Sequence, residues 1–250
     1  MILRRLTKHI DEQNWFAVGL DMLVVVVGIF VGLQISNWNT DRQNITKGYS
    51  YLNRIADELE QDIRFFDTSL RINRDSVERG NFILQTLENE NLAIESPTKF
   101  IRTIERLGGT FRTNVSDNTF EEIKFSGNLE LITDEKLRNK IADYYDFIEM
   151  EQNWSHIRIM METTYFTRSA GILKPDQIGR SPRENEGIYT AEEAQEVYQV
   201  FKNKASLIEW IPSVIWTKKQ SILFDQEAQR RAKELHAEIR GEPIQEQPDK

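Results

Sequence analysis

The stretch WFAVGLDMLVVVVGIFVGLQI, residues 15–35, decides the fold: 21 residues interrupted only by Asp21 and Gln34. As a helix it rises about 30 Å, the thickness of a hydrocarbon core. Trp15 and Trp38 bracket it about 34 Å apart along a helix, so the two indoles can serve as interface anchors at opposite headgroup boundaries. A buried core helix is the other reading of such a run, but core helices are rarely apolar on every face for so long. A cleaved signal peptide is the closer rival, because Arg4, Arg5 and Lys8 precede the run. The run exceeds the usual apolar region of about 7 to 15 residues, and QISNWNTDR, at its C-terminal end, lacks a small-residue cleavage site. The sequence therefore predicts an uncleaved signal anchor: a cytoplasmic tail at 1–14, a transmembrane helix at 15–37 and a juxtamembrane linker at 38–48. Basic residues favour the cytoplasmic side. Arg4, Arg5 and Lys8 against Arg42 and Lys47 put the N-terminus in the cytoplasm and the C-terminal domain in the periplasm of a Gram-negative cell, a single pass of the inner membrane.

At 100° per residue, Asp21, Val25, Gly28, Gly32 and Ser36 fall within an arc of about 80° and share one face. Gly28-x-x-x-Gly32 with Ser36 one step on is a small-residue ladder that lets a second helix backbone approach closely. An ionisable residue within the membrane normally faces protein or water, and Asp21 lies on this same stripe. One reading gives Asp21 a structural hydrogen bond that fixes the register of a neighbouring helix. The other makes it a proton or cation site: LDMLVVVVGIF resembles the single helix, with its early Asp, of stator-type subunits of proton-driven machines, including the peptidoglycan-anchored subunit of the flagellar stator. That likeness implies an ion-coupled role for Asp21.

The whole chain has 250 residues, a net charge of -8 and no cysteine. Residues 1–40 carry three basic and three acidic side chains, so the excess acid lies entirely in the remaining 210. A mean hydropathy of -0.54 conceals the anchor. Lack of cysteine excludes disulfides, thiolate nucleophiles and Cys-ligated metals. Acidic balance without a clustered basic segment argues against nucleic acid. His9, His156 and His236 are far apart, and no phosphate loop, HExxH or G-x-S-x-G is present, so no catalytic, cofactor or metal residues are assigned. Trp154, Trp210 and Trp216 with Tyr144 and Tyr145 are a possible ligand-pocket lining but more in keeping with a helical core.

Helical spacing dominates the chain beyond the anchor. Leu52, Ile55, Leu59, Ile63, Phe66, Leu70, Val77, Leu84 and Leu87 step by threes and fours, with gaps at Asn73 and Gly80, predicting a helix of about 36 residues. Ser96-Pro97 opens a short helix that Gly108-Gly109 ends. Residues 110–116 suggest an extended connector, and Asp117 or Asn118 starts a helix closed by Gly127-Asn128. Thr133 is the expected cap of a second long helix whose inward face is Leu137, Ile141, Tyr144, Ile148, Ile159 and Phe166. A polar loop spans 174–187. Thr190-x-x-Glu193 is a capping box for a third helix, interrupted by Pro212, after which a helix runs to Arg240. The predicted fold is all-α: one transmembrane helix, then an elongated antiparallel bundle at 49–240, with a polar tail at 241–250.

VVVVGIFVGLQISNWN, with Asp21 upstream, and TFEEIKFSGNLELITDEKLRNKIADYY resemble an uncharacterised family of bacterial single-pass membrane proteins, which pair an acid-containing helix ending in Gln-x-x-Asn-Trp-Asn with a helical domain. The resemblance covers less than a fifth of the chain and implies an inner-membrane location but no activity. Physically, Asn37 and Asn39 can cap the helix as it leaves the membrane, and Gly127-Asn128 suits a turn with positive φ, the corner packed by Phe120, Ile123, Leu129, Leu131 and Leu137. The functional expectation is a non-enzymatic membrane protein that forms homo-oligomers or pairs with another membrane protein through the Asp21, Val25, Gly28, Gly32, Ser36 face and presents a helical domain to a partner. The alternatives are an ion-coupled subunit using Asp21 and a periplasmic ligand-sensing bundle that signals through a partner.

Overall fold

The computed structural model describes residues 15–109, 115–152, 154–180 and 188–241. Among them there is no strand, and the architecture is an all-α bundle reached by one apolar helix. The basic tail (Arg4, Arg5, Lys8), the 110–114 part of the expected connector, residues 181–187 of the polar loop and residues 242–250 lie outside the described residues.

Helix α1, Trp15–Glu88, runs 74 residues without interruption, about 110 Å at 1.5 Å per residue. It is long and apolar enough to cross a membrane, and nothing else among the described residues covers its apolar window. Residues 38–48, expected as a linker, are helical, so the apolar segment and the first bundle helix are one rod. Asn37 and Asn39 accordingly cap nothing. The segment holds no proline, its one glycine is Gly48, and Thr40 and Thr46 return their hydroxyls to the carbonyls of Ser36 and Arg42 rather than breaking the ladder. Gly48 is where the bundle begins: a Cβ there would lie 2.2 Å from the carbonyl oxygen of Leu131, so only glycine lets that turn lie against α1.

After α1 come α2 (Asn91–Glu95), α3 (Pro97–Arg106), α4 (Asn118–Phe125), α5 (Glu135–Gln152), α6 (Ser155–Ser169), α7 (Ala191–Phe201), α8 (Ala205–Ile208) and α9 (Ile211–Arg240), with 3-10 turns at Leu129–Leu131 and Pro175–Gln177. Several ends obey the sequence signals. Pro97 opens α3, Gly127 takes φ 68°, Thr190 and Glu193 form a reciprocal capping box, and Gly241 ends α9 at φ 69°. The cap of α5 is Asp134 rather than Thr133: its Oδ1 accepts the N–H groups of Lys136 and Leu137 at 2.9 and 3.1 Å. A carboxylate at that position answers both the free amides and the helix dipole. The predicted second long helix is two helices, α5 and α6, so the phase of the inward face resets between them. Leu137, Ile141, Tyr144 and Ile148 are buried as expected, but Ile159 and Phe166 face outward and Tyr165 is buried instead.

Helix α9 lies antiparallel along α1. Contacts rise along one as they fall along the other: Arg240 with Asn53 and Asp57, Gln229 with Ile63 and Asp67, Asp225 with Ser69 and Asn73. Two apolar cores are strung along this pair. The proximal core, nearer the apolar segment, joins Ile55, Leu59 and Phe66 to Ile141, Tyr144 and Ile148 of α5 and Ala228, Ala232 and Leu235 of α9. The distal core joins Ile83 to Phe100, Ile104, Tyr165, Phe201 and Ile215. Gly80, a gap in the apolar stripe, is where α1 and α9 touch: a Cβ there would meet Ile215 Cγ1 at 2.5 Å.

Candidate functional site: the membrane-helix face and a buried polar seam

The five residues of the predicted pairing face lie on the one rod, spaced three and four apart. Space is open on this side. A Cβ at Gly28 or Gly32 would meet nothing within 4 Å, and Val25 is 40% exposed. Trp15 and Trp38 are also exposed, at 75% and 65%. Asp21 differs from its neighbours: it is half-buried, and its Oδ2 is shielded from solvent with no hydrogen-bond partner among the described residues. A shielded carboxylate oxygen without a donor is costly, and a donor from a second helix would relieve it.

The pocket-lining alternative is not assembled. Tyr144 and Tyr145 are buried in the proximal core, Tyr145 stacking on Phe120 at 4.5 Å between centroids. Trp210 packs against the distal core, under the guanidinium of Arg168 at 4.5 Å, and Trp154 and Trp216 are each 58% exposed. His156 is exposed. A separate groove of about 310 Å³ between α1 and α3 is lined by Asp75, Glu78, Arg79, Lys99, Arg102 and Arg106.

Between the two cores lies a polar seam that the periodicity of the sequence does not reveal. Asp225, 2% exposed on α9, accepts from Ser69 Oγ at 2.7 Å and from Asn73 Nδ2 at 3.1 Å on α1. Asn73, the other gap in the apolar stripe, is thus a ligand for a buried carboxyl. Burial pushes Asp225 up to about 6 against the opposing pull of Ser69, Asn73 and Arg158. Lys218, 3% exposed, donates to the carbonyl of Gly109. Burial lowers it to about 8, with Glu162 raising it and Arg158 lowering it further.

Nearer the apolar segment, Asp62 is 1% exposed. Its Oδ1 accepts the Ser116 N–H at 3.1 Å and its Oδ2 the Tyr144 hydroxyl at 3.2 Å. One turn below, Glu58 accepts the N–H and hydroxyl of Thr119, the latter at 2.7 Å, so both acids tie the start of α4 to α1. Burial drives Asp62 up to about 7, its two hydrogen bonds oppose this, and Glu58 and Asp117 push it higher. The same burial raises Glu58. Desolvation prevails at Asp62 because two neutral donors cannot replace the water that a carboxylate loses. The signal in the sequence is Asp62 falling in phase with Leu59 and Phe66 on the inward stripe.

No protein-family model, curated protein or solved structure matches this chain. Its likeness to the single-pass family rests on the two short stretches alone.

Proposed function

We propose that this chain is a non-enzymatic, single-pass protein of a bacterial inner membrane that pairs through the Asp21, Val25, Gly28, Gly32, Ser36 face, with itself or with another membrane protein, and holds its bundle in the periplasm for partner binding. The observation that carries this reading is the continuity of α1 from Trp15 to Glu88. A change in pairing or rotation at Gly28 has no linker in which to dissipate and is delivered to Asp62, Asn73 and Gly80 in the bundle. Carried up the rod at about 100° per residue, the pairing face reaches Asp57, Gln61 and Arg64, where Asp57 is already engaged by Arg240 at the end of α9. The Oδ2 of Asp21, without a hydrogen-bond partner among the described residues, supports the structural reading of that acid, a register-fixing hydrogen bond across the pair.

The test is association of the membrane helix in a bilayer reporter. Gly28→Ile and Gly32→Ile place branched side chains where the backbones must meet and should each weaken association several-fold. Unchanged association removes the proposed interface. A periplasm-dependent reporter fused to the C-terminus should be active, and a silent fusion reverses the orientation.

A further inference from the structure

The groove between α1 and α3 gathers basic side chains that lack acidic partners. Helix α3, PTKFIRTIER, buries Phe100, Ile101 and Ile104 in the distal core and lines the groove with Lys99, Arg102 and Arg106, spaced three and four apart; Arg79 lines it from α1. Elsewhere on the bundle such side chains meet acids: Arg54, Lys140 and Arg230 lie 2.7, 2.6 and 2.7 Å from Glu122, Glu238 and Glu227. Among the described residues Arg79, Lys99 and Arg102 form no ion pair, although Asp75 and Glu78 line the same groove, and Arg106 has only Glu105, 3.7 Å away. Lys99 is held by the ring of Phe82, its Nζ 4.1 Å from the centroid. Arg102 donates from Nη2 to the Arg180 carbonyl at 3.2 Å, and its Nε is shielded from solvent with no acceptor among the described residues. Half-buried guanidinium groups without a carboxylate, here Arg79 and Arg102, carry a desolvation cost that an anion between the two helices would offset.

Charge and size select the ligand. The lining sets four cations against two carboxylates, an excess of two positive charges in a chain of net charge -8. A dianion balances that excess, and guanidinium forks match the oxygens of a phosphoryl group two at a time. At about 310 Å³ the groove is several times the volume of a phosphate ion and leaves room for an organic part. Asp75 and Glu78, with no ion pair of their own among the described residues, are acceptors for hydroxyl groups on that part. On the single-pass reading of α1, Asp75 stands 37 residues beyond Trp38, about 55 Å along the rod and out of reach of the lipid headgroups. The phosphoryl group therefore comes from a soluble molecule.

We propose that the groove between α1 and α3 binds a soluble, hydroxyl-bearing phosphate monoester, its phosphoryl group held by Arg79, Lys99, Arg102 and Arg106 and its hydroxyl groups turned to Asp75 and Glu78. The site does not depend on pairing of the apolar helix. Isothermal titration calorimetry of the full-length protein in micelles, at fixed ionic strength, tests it with glucose 6-phosphate, inorganic phosphate, glucose and succinate. Glucose 6-phosphate should bind saturably at one site per chain, inorganic phosphate should compete for that site several-fold more weakly, and glucose should not bind. Arg79→Gln removes a side chain with no ion pair or hydrogen bond among the described residues, so the fold should keep its melting temperature while both phosphate probes bind at least tenfold more weakly. Asp75→Ala should weaken glucose 6-phosphate several-fold without weakening inorganic phosphate. In vesicles of phosphatidylcholine, adding phosphatidic acid should leave the affinity for glucose 6-phosphate within about twofold. No saturable binding of either phosphate probe, glucose 6-phosphate no tighter than inorganic phosphate, succinate tighter than phosphate, or wild-type binding by Arg79→Gln overturns the proposal. Competition by phosphatidic acid also overturns it, by making a lipid headgroup the source of the phosphoryl group.

Discussion

Replacing Asp62 by Asn should make the protein more stable, and only above about pH 5. The carboxyl is faced by Glu58 on its own helix, Asp117 and the Ser116 amide ahead of α4, and Tyr144 of α5, with Tyr145 beside it. None of these groups is a cation. Its pKa rises from 3.8 to about 7 on folding, so the folded protein holds the proton more tightly than the unfolded chain does. Stability linked to Asp62 is therefore full below about pH 4, falls as pH climbs, and reaches its lowest value above pH 7. Three units correspond to a ceiling of about 4 kcal/mol, which local relaxation and water penetration reduce to the order of 2 kcal/mol. Asparagine keeps both contacts: its Oδ1 accepts the Ser116 N–H and its Nδ2 donates to the Tyr144 hydroxyl oxygen. Thermal or urea unfolding of the full chain in micelles, followed by circular dichroism at pH 4 to 8, reads the difference. The variant should match the wild type near pH 4 and exceed it by on the order of 2 kcal/mol at pH 8. A variant that is weaker at pH 8, or a wild type whose stability is flat from pH 4 to 8, refutes the reasoning.

Lys218, lowered to about 8 by burial, has the opposite sign. The folded protein favours the neutral amine, so wild-type stability should rise between pH 8 and 10.5, and Lys218→Met should abolish that rise in the same unfolding measurement. Gly80→Leu drives a side chain into Ile215 and should cost about 1–3 kcal/mol, read as a lowered melting temperature. In the bilayer reporter, Asp21→Asn should preserve pairing within about twofold because the amide still hydrogen-bonds, while Asp21→Leu should weaken it by about tenfold, or roughly 1.4 kcal/mol. Equal association by the Asn and Leu variants would remove Asp21 from the interface.

The all-helical architecture and most helix ends were legible because they depend on local chemistry: proline in the first turn of α3, the Thr190 and Glu193 box, and glycine after the last turn of α4 and α9. What escaped depends on distant partners. Residues 38–48 are polar and look like a linker, yet a helix entering at Ile35 and resuming at Leu52 has no breaker between and simply continues. Asn73 and Gly80 read as interruptions of an apolar stripe, whereas each is a contact with α9, one to Asp225 and one to Ile215. Ile159 and Phe166 keep helical spacing with α5 only if α5 and α6 are one helix. Once the chain turns between Gln152 and Ser155, that periodicity no longer says which side is inside. The polar seam could have been suspected from Asp62 alone, in phase with Leu59 and Phe66, but Asp225 and Lys218 are buried by packing against α1 and α6 that no local pattern announces.

Cysteine cross-linking along the membrane helix tests the central claim most directly, since the chain contains no cysteine of its own. Single cysteines placed in turn at positions 21 to 36 of the full-length protein, oxidised in native membranes, report which face meets a partner. Positions 25, 28, 32 and 36 should give the strongest products, with minima at 23, 27, 30 and 34. A uniform pattern, or maxima on the face of Leu23, Phe30 and Gln34, would contradict the account.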